Sequence, residues 1–294
     1  MSVTLTSAKR SMPPTPDKPP RVAFLGPAGT FTHAAARALF GLAVRYSEAP
    51  TIDAVFDAVQ RHDADYGVVP IENSTEGSVT PAVDALISRD GICIRAEHVL
   101  DVTHCLMSVA GDLTRIERVY SHPQALGQCR QWLATHLAHA QLVQADSTAA
   151  AVREARGDAS GAAIGSQLAA ELYSIPVLRS RLQDVEGNST RFVMLATEDA
   201  PRTGADKTTV AFAVPDKPGA LLHVLEVFND RGINLSRIES RPSRQRVWDY
   251  VFLADLSGHR EDPDVYTACS ILSERCPMFR ILGSYPRHRT TNNS

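Results

Sequence analysis

The chain has 294 residues, 44% hydrophobic and 21% charged, with a formal net charge of −3 at pH 7. That length holds one large or two medium domains with an ample core. The near-neutral charge gives no electrostatic footing for nucleic acid or an anionic membrane surface.

No apolar run approaches the roughly 20 residues that a membrane-spanning helix needs. Five cysteines (Cys93, Cys105, Cys129, Cys269, Cys276) are scattered and form no CxxC pair. That pattern points to a reducing cytoplasm and to neither a disulfide framework nor a zinc site. Only four of the 30 cationic residues are lysines. Arginine suits fixed carboxylate recognition, and genomic base composition produces the same bias. Residues 1–20 carry Pro13, Pro14, Pro16, Pro19 and Pro20 without apolar periodicity. They are expected to be a disordered tail, with no signal-peptide core.

Strand and helix signals then alternate. Val22 to Leu25 reads as a buried strand, Gly26 to Thr30 as a tight loop, and Thr32 to Phe40 as a helix stopped by Gly41. The loop is either a plain turn or a set of backbone N–H groups at a helix start that favours an anion. It is neither GxGxxG nor a P-loop, which removes a nucleotide reading. A strand over 43–46 follows. Thr51 is a good N-cap for a helix with Ile52, Val55, Phe56 and Val59 on one face. A strand over 66–71 runs out into Glu72 to Ser78, a stretch without an apolar side chain. Thr80 and Pro81 open the next helix.

Residues 99–109 read as the connection into a second lobe. There a short strand ends at Ser121-His122-Pro123-Gln124, and one helix is expected over 124–137, with Gln128 a turn from Gln124. Ser147 caps a helix over 148–156, Gly161 to Gly165 is a strand, and a helix begins at Gln167. His104 and His122 are candidate acids or bases, or merely structural. No second ligand spacing supports a metal. Gly187 to Arg191 is a polar turn feeding the strand Phe192 to Leu195, and strand ends of open α/β sheets face the ligand crevice.

Residues 198–207 are a polar linker and the clearest domain boundary. Beyond it come strand 208–214, a helix after Pro218, strands 233–240 and 247–256, helix 265–272 and strand 279–282. That order, βαββαβ, is ferredoxin-like. The residues after Pro286 are expected to be disordered.

Several stretches, in this order, resemble one family. They are Gly26-Pro27-Ala28-Gly29-Thr30-Phe31-Thr32; Pro70-Ile71-Glu72-Asn73-Ser74 with Gly77-Ser78-Val79; Ser121 to Leu126 with Gln128-Cys129; and Asn188-Ser189-Thr190-Arg191-Phe192. In the last unit they are Asp216 to Leu221 and Ile238-Glu239-Ser240-Arg241-Pro242. Together they resemble the monofunctional prephenate dehydratases with a C-terminal ACT regulatory domain, over essentially all of residues 21–286. Ser189 departs mildly, standing where a β-branched or apolar residue is expected.

The resemblance implies a two-lobed α/β fold similar to type 2 periplasmic binding proteins, followed by an α+β ACT domain. The catalytic domain would span 21–198, with lobe one at 21–100 and 188–198 and lobe two at 101–187. The ACT domain would span 208–286. The implied reaction takes prephenate to phenylpyruvate without cofactor or metal. Thr190 is implied as proton donor to the departing hydroxyl. Asn73, Ser121 and Gln128 would orient substrate, and Arg191 would hold a carboxylate. Thr30 would bind the other carboxylate, with Glu72 and Ser74 as further substrate contacts, while Phe192 would pack. Phenylalanine is implied as an inhibitor at Gly219, Ala220, Leu221, Asn234, Glu239 and Ser240, with a homodimer or homotetramer formed through ACT domains. Nucleic acid and membrane are not expected as partners. The alternatives are an arogenate dehydratase, a related decarboxylase that keeps the hydroxyl, and a non-catalytic amino-acid sensor. The presence of Thr190 weighs against the decarboxylase, and the intact polar sets weigh against the sensor.

Overall fold

A computed structural model describes residues 18–242 and 250–288. The expected disorder of residues 1–17 and 289–294, and the expected strand start at Val247, lie outside the described residues.

Lobe one comprises β1 (Arg21–Leu25), α1 (Phe31–Phe40), β2 (Arg45–Ala49), α2 (Ile52–Gln60), β3 (Tyr66–Asn73), β4 (Gly77–Ser78), α3 (Thr80–Ser88) and β5 (Cys93–Asp101). Lobe two comprises β6 (Cys105–Ser108), β7 (Arg118–Ser121), α4 (Pro123–Gln128), α5 (Arg130–His136), β8 (Gln141–Gln144), α6 (Thr148–Arg156), β9 (Gly161–Gly165), α7 (Gln167–Tyr173) and β10 (Val177–Ser180). The chain then returns to lobe one as β11 (Ser189–Ala196). The sheet orders are β2-β1-β3-β11-β5 and β10-β6-β9-β7-β8. Both follow one plan: three parallel strands, an antiparallel strand that comes directly after a lobe crossing, and an outer strand. The inserted strand is β11 in lobe one and β6 in lobe two.

Local chemistry accounts for the helices. Thr51 Oγ1 accepts from Ala54 N at 3.1 Å and Ser147 Oγ from Ala150 N at 3.0 Å, as N-caps do. The α2 face of Val55, Phe56 and Val59 is fully buried against the lobe-one sheet. Phe56→Ala should therefore cost about 3–5 kcal/mol, read as a lower urea midpoint at unchanged slope.

One local expectation is corrected. The helix expected over 124–137 breaks at Cys129, where ψ is 16°. The Asp184 carboxylate accepts from Gln131 N at 2.9 Å and Trp132 N at 3.1 Å and so caps α5 as a separate helix. The stretch 99–109, read as the connection into lobe two, carries the chain across as the end of β5 and all of β6, two strands in different sheets joined by three residues.

The C-terminal unit is β12 (Asp206–Ala213), α8 (Ala220–Asn229), β13 (Leu235–Pro242), β14 (Tyr250–Ser257), α9 (Pro263–Arg275) and β15 (Met278–Pro286), with sheet order β13-β14-β12-β15. Its helices cover one face through Val224, Phe228, Ala268 and Leu272. The other face lies on lobe one, where Ala211, Leu253, Leu282 and Tyr285 join one core with Ile94, Val193 and Leu195. The expected fold class, two α/β lobes plus a βαββαβ unit, is the one observed. No helix among the described residues is long and apolar enough to cross a membrane.

Candidate active site

A cavity of about 700 Å³ lies between the lobes, where the chain crosses twice. Lobe one contributes Thr30, Phe31, Thr32, Asn73 and Thr80; lobe two contributes Gln124, Gln128, Ser147 and Thr148. The crossing segments add His104 and Asn188, and β11 of lobe one adds Thr190. The lobes also touch directly. Ser166 Oγ donates to Gly29 O at 2.6 Å, Tyr173 Oη to Ala28 O at 2.9 Å, and Gln124 Nε2 to Glu76 Oε1 at 2.6 Å.

Strand pairing sets the centre of the cleft. Thr190 on β11 faces Asn73 on β3 in register. Asn73 Oδ1 accepts from Thr75 N at 2.9 Å, Glu76 N at 3.2 Å and Thr75 Oγ1 at 2.6 Å. Backbone N–H groups only donate, so the amide orientation is determined. Its Nδ2 then donates to Asn188 Oδ1 and to Thr190 Oγ1, both at 2.9 Å. The Thr190 hydroxyl thus accepts from Asn73 and donates to no described residue. Its proton remains for a ligand, and the accepted bond polarises it.

His104 Nε2 lies 2.8 Å from Gln128 Oε1, which only accepts, so Nε2 carries the proton. Burial pushes the His104 pKa down, against the opposing pull of Gln128, and holds the ring neutral. His104 therefore occupies the Gln128 amide oxygen, so that its nitrogen is the group left to donate, and is not itself a free acid. Nothing in the sequence pairs these two residues, which are 24 positions apart. His122 caps α4, its Nδ1 accepting from Gln124 N at 3.3 Å.

Thr30 is at the cavity as expected and caps α1, its Oγ1 accepting from His33 N at 3.4 Å. Four expectations are corrected. Ser121 is fully buried and donates to Ile164 O at 2.7 Å, binding β7 to β9 away from the cavity. Ser74 Oγ accepts from Ser189 N at 2.9 Å and clasps the start of β11. Glu72 faces Arg191 and Arg237 at 3.5 and 3.7 Å, on the C-terminal unit's side. Arg191 points away from the cleft, because successive strand residues point to opposite faces. Its NH1 lies 2.6 Å from Asp255 Oδ2. The polar turn expected at 187–191 is also corrected, since Ser189, Thr190 and Arg191 already belong to β11.

Among the described lining residues there is no lysine or arginine, and the charged ones are Glu76 and Asp146. The positive ends present are helix N-termini: α1 at Phe31 and Thr32, α3 at Thr80, and α6 at Thr148. Chemically, such an arrangement suits a small anion, through N–H groups and hydroxyls, beside one hydroxyl proton that no described residue takes up.

The family profile described as prephenate dehydratase matches residues 22–200 of this chain. The chain belongs to the prephenate dehydratase family. The ACT domain profile matches residues 208–268. A bifunctional chorismate mutase/prephenate dehydratase from Aquifex aeolicus is 44% identical over 271 residues, covering 92% of this chain and 75% of that protein. A prephenate dehydratase from a Mycobacterium species (strain JLS) is 41% identical over 280 residues, covering 91% and 89%. The crystal structure of a prephenate dehydratase from Arthrobacter aurescens in complex with L-Phe superposes with a TM-score of 0.83 at 39% identity, covering 91% of this chain and 90% of that one. The ACT residues expected at the effector site divide. Gly219, Ala220 and Leu221 open α8, and Asn234 precedes β13. On β13, Ser240 is exposed while Glu239 turns to lobe one, accepting from Ser78 Oγ and pairing with Arg237.

Proposed function

We propose that this chain converts prephenate to phenylpyruvate, carbon dioxide and water at the interlobe cleft, and that phenylalanine at the ACT domain slows it. The observation that carries the reading is the Thr190 hydroxyl, fixed by Asn73 with its own proton unspent. It stands on a cavity of about 700 Å³, within the usual size range of ligand clefts.

In this reaction the bond from the ring to one carboxylate breaks and carbon dioxide leaves. Its electron pair moves into the ring, and the bond to the ring hydroxyl breaks as one proton is added, releasing water. A positioned donor lowers that barrier. A threonine hydroxyl is a weak acid, so Thr190 relays a proton that solvent replaces. Aromatisation supplies the driving force, and the step calls for no cofactor. Helix N-termini suit the departing carboxylate better than an arginine would. A full cation would stabilise its ground-state charge, which is lost in the transition state. Gln128, oriented by His104, and Asn188 are placed to fix the rest of the ring and side chain.

The L-Phe bound in the Arthrobacter aurescens structure supports phenylalanine as effector here. Among the described residues strand β13 is the edge of its sheet; Ile238 on it is 45% exposed and Leu222 on α8 is 56% exposed. An unpaired edge of this kind favours pairing with a second ACT domain, which supports a homodimer or homotetramer. Gly219→Leu and Ser240→Phe should weaken phenylalanine inhibition at least roughly tenfold, a modest coupling energy, with turnover retained. Full inhibition in both variants rejects the effector site.

The test is phenylpyruvate absorbance with prephenate, with and without phenylalanine. Phenylpyruvate formation that phenylalanine suppresses supports the reading. Prephenate consumed without phenylpyruvate points to the decarboxylase. Prephenate untouched and arogenate consumed points to an arogenate dehydratase, and neither consumed points to a sensor.

A further inference from the structure

Thr190 and Arg191 are neighbours on β11, yet they serve opposite faces of its sheet. Thr190 stands in the cleft, and Arg191 is 91% buried beneath it, between lobe one and the ACT sheet. The guanidinium NH1 donates to Asp255 Oδ2 of β14 at 2.6 Å, and NH2 donates to Tyr285 Oη of β15 at 2.7 Å. Nε lies 2.8 Å from Glu97 Oε2 of β5, an ion pair without an aligned hydrogen bond. These partners are themselves held. Thr209 Oγ1 donates to Asp255 Oδ1 at 2.7 Å, and Lys207 Nζ donates to Glu97 Oε2 at 2.9 Å. Two cations, Arg191 and Lys207, thus face two buried carboxylates, Glu97 and Asp255. Such a set holds one geometry, because leaving any member unpaired in this core is costly.

The backbone between the two side chains is a single peptide unit inside a sheet. A shift of the guanidinium is therefore a shift of Thr190 against Asn73. We propose that Arg191 is a positioning residue for the reaction: gripped by Asp255 and Tyr285 of the ACT domain, it sets where β11 places the Thr190 hydroxyl in the cleft. The proposal rests on Thr190 being the proton donor. It gives Arg191 a role different from the carboxylate-binding one that the sequence suggests, and it makes two ACT residues contributors to turnover in the full chain.

The experiment measures kcat and KM for prephenate and thermal stability in Arg191→Lys, Tyr285→Phe and Asp255→Asn, each alone and combined with Thr190→Ala. Tyr285→Phe is the conservative member, since it removes one hydroxyl and keeps the ring that fills the core. The expected result is a kcat lowered roughly 10- to 100-fold in Arg191→Lys, the range that misplacement from a distance produces. A smaller fall is expected in Tyr285→Phe, with KM unchanged and the protein folded in both. The losses should disappear in the Thr190→Ala background, because a residue that acts through Thr190 has nothing left to position. A raised KM in Arg191→Lys with Tyr285→Phe and Asp255→Asn at wild-type rates overturns the proposal and returns Arg191 to carboxylate binding. Losses that persist in full on top of a slow Thr190→Ala enzyme overturn positioning alone. A Thr190→Ala enzyme as fast as wild type overturns the catalytic reading and this proposal with it.

Discussion

Thr190→Ala should lower kcat about 10²- to 10⁴-fold, the usual contribution of a positioned acid, while KM for prephenate stays within a few-fold. The reason is local. Thr190 is 8% exposed, its oxygen already takes a hydrogen from Asn73, and its own hydrogen is the part left for substrate. Removing the hydroxyl also leaves an Asn73 amide hydrogen unpaired, a buried loss of roughly 1–3 kcal/mol that will show as a lower melting temperature. Stability and rate therefore need separate readings. Thr190→Ser restores the hydroxyl and should recover most of the rate. An alanine variant with wild-type kcat would remove Thr190 from the chemistry.

A large loss of stability is expected in Gly283→Ala. Gly283 has φ of +147°, and a Cβ there would lie 2.2 Å from Ile94 O and 2.6 Å from Ile94 N. The obstacle is backbone on both sides, β15 of the ACT sheet against β5 of lobe one, so no side chain can swing aside. Overpacking costs about 1–3 kcal/mol or more, and strain at a positive φ adds about 1–3 kcal/mol. A fall in melting temperature of roughly 5–15 °C follows from these sums. Gly111→Ala is the control: φ is +77° there and nothing lies within 4 Å of the added atom. If calorimetry finds the two variants alike, the contact between β15 and β5 is softer than the structure shows.

How much was legible before the structure depended on how local the cause was. The α/β alternation, the caps at Thr51 and Ser147 and the βαββαβ order are written in neighbouring residues, and they stand. Cys129 breaks a helix because of Asp184, 55 positions away, and no local pattern contains that. In the cleft, Asn73, Thr190, Gln128 and Thr30 line one cavity. Arg191 and Glu72 do not, because a strand offers each residue one of two faces, and the choice depends on what covers the far side. Here the ACT sheet does, with Asp255 and Tyr285 waiting. Ser121 looked like a ligand-facing hydroxyl for the same reason; its partner, Ile164 O, belongs to a strand 40 residues later.

The place of β11 within lobe one has a consequence for how the protein is made. Its partners β3 and β5 are complete by residue 101, and β11 itself begins at Ser189. At the usual 5–20 residues per second, a ribosome takes roughly 4–18 s to supply the strand that joins them. During that interval β3 and β5 present unpaired edges, and the cores meant for Phe192, Val193 and Leu195 stay open. Lobe two has all its strands by residue 180, so it is the part of the nascent chain able to close first. Lobe one, although it leads in sequence, finishes second, and until then its two unpaired edges are the exposed part of the nascent chain.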